Sequence, residues 1–170
     1  MITVDATTLD LAAHLQDGDH IVMGQACGEP STLLDALIAQ GSCRSNLSLF
    51  IATSFSGRFT PETSGAFRLS SMGAIGALRS MTKANLLDVI PCHVSQVGPL
   101  ITTGAIPCDV AMIQLSPADA DGYHSCGLIS DYVRAAISKA RVVIAEINDQ
   151  IPFTYGERVH QSEIDVAVPC

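Results

Sequence analysis

Five short, almost uninterrupted apolar runs recur along the chain: Ile21 to Met23, Leu47 to Ala52, Leu86 to Pro91, Asp109 to Ser116 and Arg141 to Asn148. A strand exposed on one face alternates apolar and polar residues, whereas a run apolar throughout reads as a strand buried on both faces. Such strands need helices above and below them. The connections are long enough for right-handed crossovers, so the pattern predicts an α/β domain with an open, mostly parallel sheet flanked by helices on both faces. GQACGEPSTLLDAL (Gly24 to Leu37) passes from a turn into apolar residues at helical spacing, which places one helix over Pro30 to Gln40. A second helix is expected over Ser130 to Ala140 with Ser130 as its cap, and the run from Ala66 onward offers a short strand and a small-residue helix ending near Lys83. The segment from Ser54 to Gly65 reads as a loop, Tyr123 to Cys126 as an edge strand, and Ile164 to Cys170 as a last strand with no polar tail behind it, as though the chain continued.

Composition agrees with that architecture and removes several functions. At 170 residues, 48% hydrophobic and 15% charged, the chain fits one packed domain over residues 1–170 and not a disordered one. Aromatics make up 5% and Trp is absent, so the core must be built of Ala, Val, Ile and Leu. A net charge of −8 argues against nucleic acid or an anionic membrane as partner, since both need a cationic face. So few charges leave some surface apolar, which points to contact with another chain or domain. Met1 is followed by neither a basic start nor an apolar run of signal-peptide length, so the chain reads as cytoplasmic. The uncharged stretch Val89 to Cys108 holds three prolines and a histidine and does not read as a membrane span. The six cysteines show neither a CxxC pair nor a metal-ligand pattern, and they read as reduced, buried thiols with no metal site.

In an open parallel sheet, ligands bind beyond the carboxyl ends of the strands. Three segments there carry candidate substrate-binding residues. Gln25, Gly28 and Glu29 precede the first helix, whose positive end favours a carboxylate or phosphate, although a plain tight turn explains the same residues. His93 and Ser95 follow the third run and offer hydrogen bonds to a substrate, or they simply pack in a loop. Ser116 and Gly122 bound a sharp turn, in which Asp119 and Asp121 read as solvated rather than metal-binding. His124 and Cys126 fall on one face of a strand and permit a thiol-nucleophile reading, with no neighbour to orient the base. Glu146 closes a buried strand, where a structural hydrogen-bonding role is the stronger reading.

The strings GQACGEPSTLLDAL, FRLSSMGAIGALR, IPCHVS, DVAMIQLSPADADGYHSCG, VVIAEINDQIPFTYG and HQSEID, in this order, make the chain resemble the N-terminal half of the acetyl-CoA hydrolase and CoA-transferase family, which includes 4-hydroxybutyrate and succinate:acetate CoA-transferases. The resemblance implies an enzyme of two similar α/β halves with acyl-CoA and a small carboxylic acid in the cleft between them, and an oligomer of the complete enzyme. In the family, a glutamate of the C-terminal half attacks the thioester to give an acyl-glutamyl anhydride. CoA thiolate then forms a glutamyl-CoA thioester, and the acceptor carboxylate or water completes the cycle. That glutamate, the oxyanion donors and most CoA contacts belong to the other half or to a separate catalytic subunit, so no catalytic residue is assigned in this chain. No cofactor is implied beyond the coenzyme A thioester as substrate. The chain departs from its relatives at Gln96, where they often have Glu, and at His124, where they often have Cys or Thr. Both differences bear on which acid is accepted. A non-catalytic binding module of the same fold, and a stand-alone hydrolase using Cys126 and His124, are the competing readings.

Overall fold

The computed structural model describes residues 1–63, 65 and 67–170. Its strands are β1 (Ile2–Thr3), β2 (His20–Met23), β3 (Ser48–Phe50), β4 (Arg68–Ser71), β5 (Leu87–Val89), β6 (Val110–Leu115), β7 (Tyr123–Ser125), β8 (Val142–Ile147), β9 (Arg158–His160) and β10 (Val166–Pro169). Its α-helices are α1 (Ser31–Gln40), α2 (Arg79–Lys83), α3 (Val94–Thr103) and α4 (Val133–Lys139). Eight strands form one sheet in the order β1-β10-β8-β6-β2-β3-β4-β5, and every neighbouring pair is parallel. β7 and β9 stand apart as a small antiparallel pair.

Alternation along each strand divides the core into two layers. Ile21 and Met23, with Leu49, Met112 and Ile144, face the layer that α1 covers through Leu33, Leu34 and Leu37. Val22, Phe50, Ala111, Ile113, Val143 and Ala145 face the opposite layer, closed by Val97 and Ile101 of α3 and Val133, Ala136 and Ile137 of α4. Each fully buried leucine of α1 contributes about 1.5–3 kcal/mol relative to exposure, so the apolar stripe of α1 far outweighs its lack of a capping side chain. The two-faced α/β sheet predicted from the apolar runs is therefore what the chain adopts.

Several boundaries differ for identifiable reasons. α1 starts at Ser31, with Pro30 just outside it. α4 starts at Val133 rather than at the predicted Ser130 cap, because Asp131 adopts φ 30 and Tyr132 is the N-cap; the Ser130 carbonyl still accepts the Val133 N–H at 2.8 Å. The Leu86 to Pro91 run, expected to be a core strand, forms β5 at the outer edge of the sheet, with Leu86 and Val89 exposed. α3 falls where a loop is expected. Its Gly98 and Pro99 disguise a helix that Gln96 caps by accepting the His93 N–H at 3.0 Å and that Gly104 ends in the left-handed region. The thiols are also less buried than expected: Cys126 is buried, but Cys27 and Cys170 are exposed because they lie on a turn and past β10. Ser64, in the predicted loop, and Ala66, where the predicted strand run starts, lie outside the described residues.

Candidate functional site

Because all eight strands of the main sheet run the same way, their carboxyl ends share one end of the domain. There β2 gives way to a tight turn. Gly24 leaves the sheet with its N–H bonded to the Met112 carbonyl at 3.0 Å, and Ala26, at φ 50, donates its N–H to Thr53 at 2.9 Å. A Cβ on Gly24 would overlap the Gly28 carbonyl oxygen, so glycine is required there by close approach. At Gly28, by contrast, a Cβ would meet Ile129 at 3.5 Å, an ordinary contact.

Glu29 ends this turn and is 5% exposed. The Ser54 hydroxyl approaches its two carboxylate oxygens at 3.1 and 3.0 Å, the Ser56 hydroxyl donates at 2.6 Å and the Phe55 N–H at 3.2 Å. The segment after β3 is thereby tied to the segment after β2. On the other side, Gln114 of β6 donates from Nε2 to the Glu29 carbonyl at 3.4 Å and to Glu146 Oε1 at 2.9 Å. Glu146, 1% exposed, also accepts the Thr32 N–H of α1 at 2.7 Å through Oε2. One polar chain thus crosses from β8 through β6 and β2 to the loop after β3. The Tyr132 hydroxyl adds a pin between β2 and β3, donating to the Met23 carbonyl at 2.8 Å and accepting the Ala52 N–H at 3.3 Å. Its complete burial raises its pKa.

The other candidates lie around this centre. Gln25 donates to Asp131, and Asp131 shares a shallow cavity of about 330 Å³ with Val94, Ser95, Gly98 and Pro99. Asp131, which Gln25 holds, and Ser95 therefore border one cavity. His93 is exposed just before α3 and, like Gly28, lies beyond the carboxyl end of its strand; β3 and β4 separate the two strands concerned. Ser116 is 1% exposed, with its hydroxyl donating to the Pro117 carbonyl at 2.9 Å and accepting the Ser125 N–H at 2.9 Å. Gly122 is buried at φ 81, and its carbonyl accepts the Gln161 N–H at 2.9 Å. Asp119 holds the same turn by accepting the Asp121 and Tyr123 N–H groups at 3.0 and 2.8 Å. Among the described residues no three His, Cys, Asp or Glu side chains gather closely enough to hold a metal ion.

Chemically, the site offers shape and hydrogen bonds. The oxygens of Glu29 and Glu146 are committed to donors inside the protein, so neither carboxylate is presented for attack on a thioester. Cys126 is no better placed: burial pushes its thiol up to about 11, and the His124 ring turns Nδ1 to the Ser116 carbonyl at 2.8 Å. Cys108 is held up at about 12 by the same cause. In alkylation at neutral pH we expect exposed Cys27 to react first, while Cys108 and Cys126 stay unmodified until the protein unfolds. Fast labelling of Cys126 in the native state, read by mass spectrometry, would contradict this ordering.

Ser54, Ser56, Gln114, Thr32, Asp131 and Tyr132 escape a reading of the sequence for sites. A usable signal exists for Gln114 and Glu146: each is the lone polar residue near the end of an apolar strand, VAMIQL and VVIAEI, and the register sets them side by side.

The sequence model of the acetyl-CoA hydrolase/transferase N-terminal domain matches residues 6–168. The chain is 32% identical to the 4-hydroxybutyrate coenzyme A transferase of Clostridium kluyveri over 157 residues, covering 91% of this chain and 37% of that protein. The solved 4-hydroxybutyrate CoA-transferase from Porphyromonas gingivalis superposes with a TM-score of 0.74 at 27% identity, over 99% of this chain and 39% of that one. RipA from Yersinia pestis has the same fold, with a TM-score of 0.89 at 24% identity, over 99% of this chain and 42% of its own. The chain therefore spans about two-fifths of the length of these relatives.

Proposed function

Since the chain belongs to the acetyl-CoA hydrolase/transferase N-terminal domain family, we propose that it forms one wall of the site of an acyl-CoA:carboxylate CoA-transferase or acyl-CoA hydrolase, working in the cytoplasm. Acyl-CoA and a small carboxylic acid bind against the loops beyond the carboxyl ends of the strands. Gln25, Gly28, Glu29, His93 and Ser95 shape the acyl side, and Ser116 and Gly122 hold the neighbouring turn. The glutamate that takes the acyl group, and the donors for the oxyanion, come from a second half that packs over this end of the sheet, and the complete enzyme is an oligomer. This chain contributes enclosure and hydrogen bonds.

One observation carries the reading. Phe55, Ile75, Val94, Phe153 and Tyr155 are all exposed, and all lie on segments that follow the carboxyl ends of strands of the main sheet, Phe55 donating its N–H to Glu29. Large apolar side chains gathered on the ligand-binding end favour a face that another body covers. The test is acyl-CoA turnover by the full-length protein with a panel of short carboxylic acids. Transfer or hydrolysis is expected from the full-length protein and none from residues 1–170 alone. Consumption of acetyl-CoA by residues 1–170 alone, abolished by Cys126→Ala, would replace the proposal with a thiol hydrolase. Acyl-CoA binding without turnover by the full-length protein would replace it with a binding module.

A further inference from the structure

We infer that Glu146 and Gln114 are positioning residues that set the turn bearing Glu29 from two strands away. The inference rests on the proposed function for its catalytic consequence, but its structural part stands alone. Gln114 Nε2 reaches both the Glu146 carboxylate, at 2.9 Å, and the Glu29 carbonyl, at 3.4 Å, so the turn after β2 is hung from β8 through a single amide. Glu146 cannot swing away, because its other oxygen receives the Thr32 N–H at 2.7 Å. Gln114 Oε1, also buried, has no partner among the described residues. The amide is therefore oriented by its donor side alone, and reversing it would aim oxygen at two acceptors. An ionic and polar pair buried this deeply is not an economical way to hold a sheet together, because apolar residues of similar volume commonly serve as well or better. What it supplies is direction: one donor aimed at the carbonyl of the residue whose carboxylate grips Ser54, Phe55 and Ser56.

Exchanging the two side chains separates positioning from stability. In the double variant Glu146→Gln with Gln114→Glu, the amide at position 146 accepts the Thr32 N–H and donates to the carboxylate at position 114, so charge and two of the three hydrogen bonds persist. The third does not, because a carboxylate at 114 faces the Glu29 carbonyl without a proton between them. Cys27, exposed two residues before Glu29, reports the placement of the turn through its alkylation rate. In the full-length protein we expect the double variant to melt within a few degrees of wild type, while Cys27 labels about tenfold faster or slower. We expect kcat/KM for acyl-CoA to fall about tenfold, with a changed order of preference among the acids. Glu146→Gln alone should lose melting temperature as well, and recovery of that loss in the double variant shows that the exchange folds. A double variant with wild-type Cys27 labelling and wild-type acid preference overturns the inference, as does one whose melting temperature and labelling change only in proportion. If the wild-type protein turns over no acyl-CoA, the functional proposal fails, and Cys27 labelling still decides the positioning role.

Discussion

Replacing Gly24 by alanine is expected to prevent the domain from accumulating in a folded form. The new methyl group would occupy the place of the Gly28 carbonyl oxygen, a backbone atom that cannot rotate aside. Moving it drags the turn that carries Glu29 and the start of α1. Overpacking against backbone costs about 3 kcal/mol or more, a large part of the ~5–15 kcal/mol that holds a domain of this kind together. The control lies four residues on. Gly28→Ala puts its methyl group 3.5 Å from Ile129 and should melt within a few degrees of wild type. Soluble yield and thermal melting of the pair provide the check, and a Gly24→Ala protein as stable as Gly28→Ala would show that the turn is not packed as described.

Removing the carboxylate of Glu29 should be nearly as damaging. In Glu29→Ala, the buried Ser54 hydroxyl and the partly buried Ser56 hydroxyl and Phe55 N–H lose the acceptor supplied by a residue that is itself 5% exposed. One stranded buried donor, two weakened partly buried ones and the lost packing together cost about 2–4 kcal/mol. Glu29→Gln should cost only about 1–2 kcal/mol, because serine hydroxyls rotate to accept as well as donate, while the Phe55 N–H keeps the amide oxygen. Urea denaturation midpoints should therefore rank wild type, Glu29→Gln and Glu29→Ala in falling order. An alanine variant that equals the glutamine variant would mean that water reaches these donors and that the site is open.

The sheet was legible in the sequence because burial on both faces leaves its mark residue by residue. VAMIQL and VVIAEI have almost no polar position to spare, and both are central strands. Where burial is one-sided the mark fades: LLDVIP looks equally apolar, but it lies at the edge, and nothing in its residues tells a missing neighbour from a present one. α3 was hidden by Gly98 and Pro99, whose poor helix propensity is overridden by packing of Val97 and Ile101 on the sheet. For the candidate site, position after a strand singled out Gln25, Glu29 and Ser95, and topology alone places such residues beyond the carboxyl ends of the sheet. It could not find their partners. Ser54 and Ser56 are unremarkable in a loop of turn formers, and Asp131 is one of many exposed acids. Their roles come from contacts that span between 25 and 106 positions in the chain.

The position of β10 has a kinetic consequence. It is inserted between β1 and β8, so Ile2 pairs with Val166 and Thr3 with Ala167 across nearly the whole chain. Until residues 166–169 emerge from the ribosome, β1 has no partner and the flank of β8 that receives β10 is bare backbone. The nascent domain must wait with an open parallel edge flanked by apolar side chains. Closing it demands one of the longest loops within this domain, and non-local pairing of this kind slows folding and lengthens exposure to aggregation. Synthesis rate and chaperone supply, more than the stability of the finished sheet, should then govern how much native protein a cell obtains.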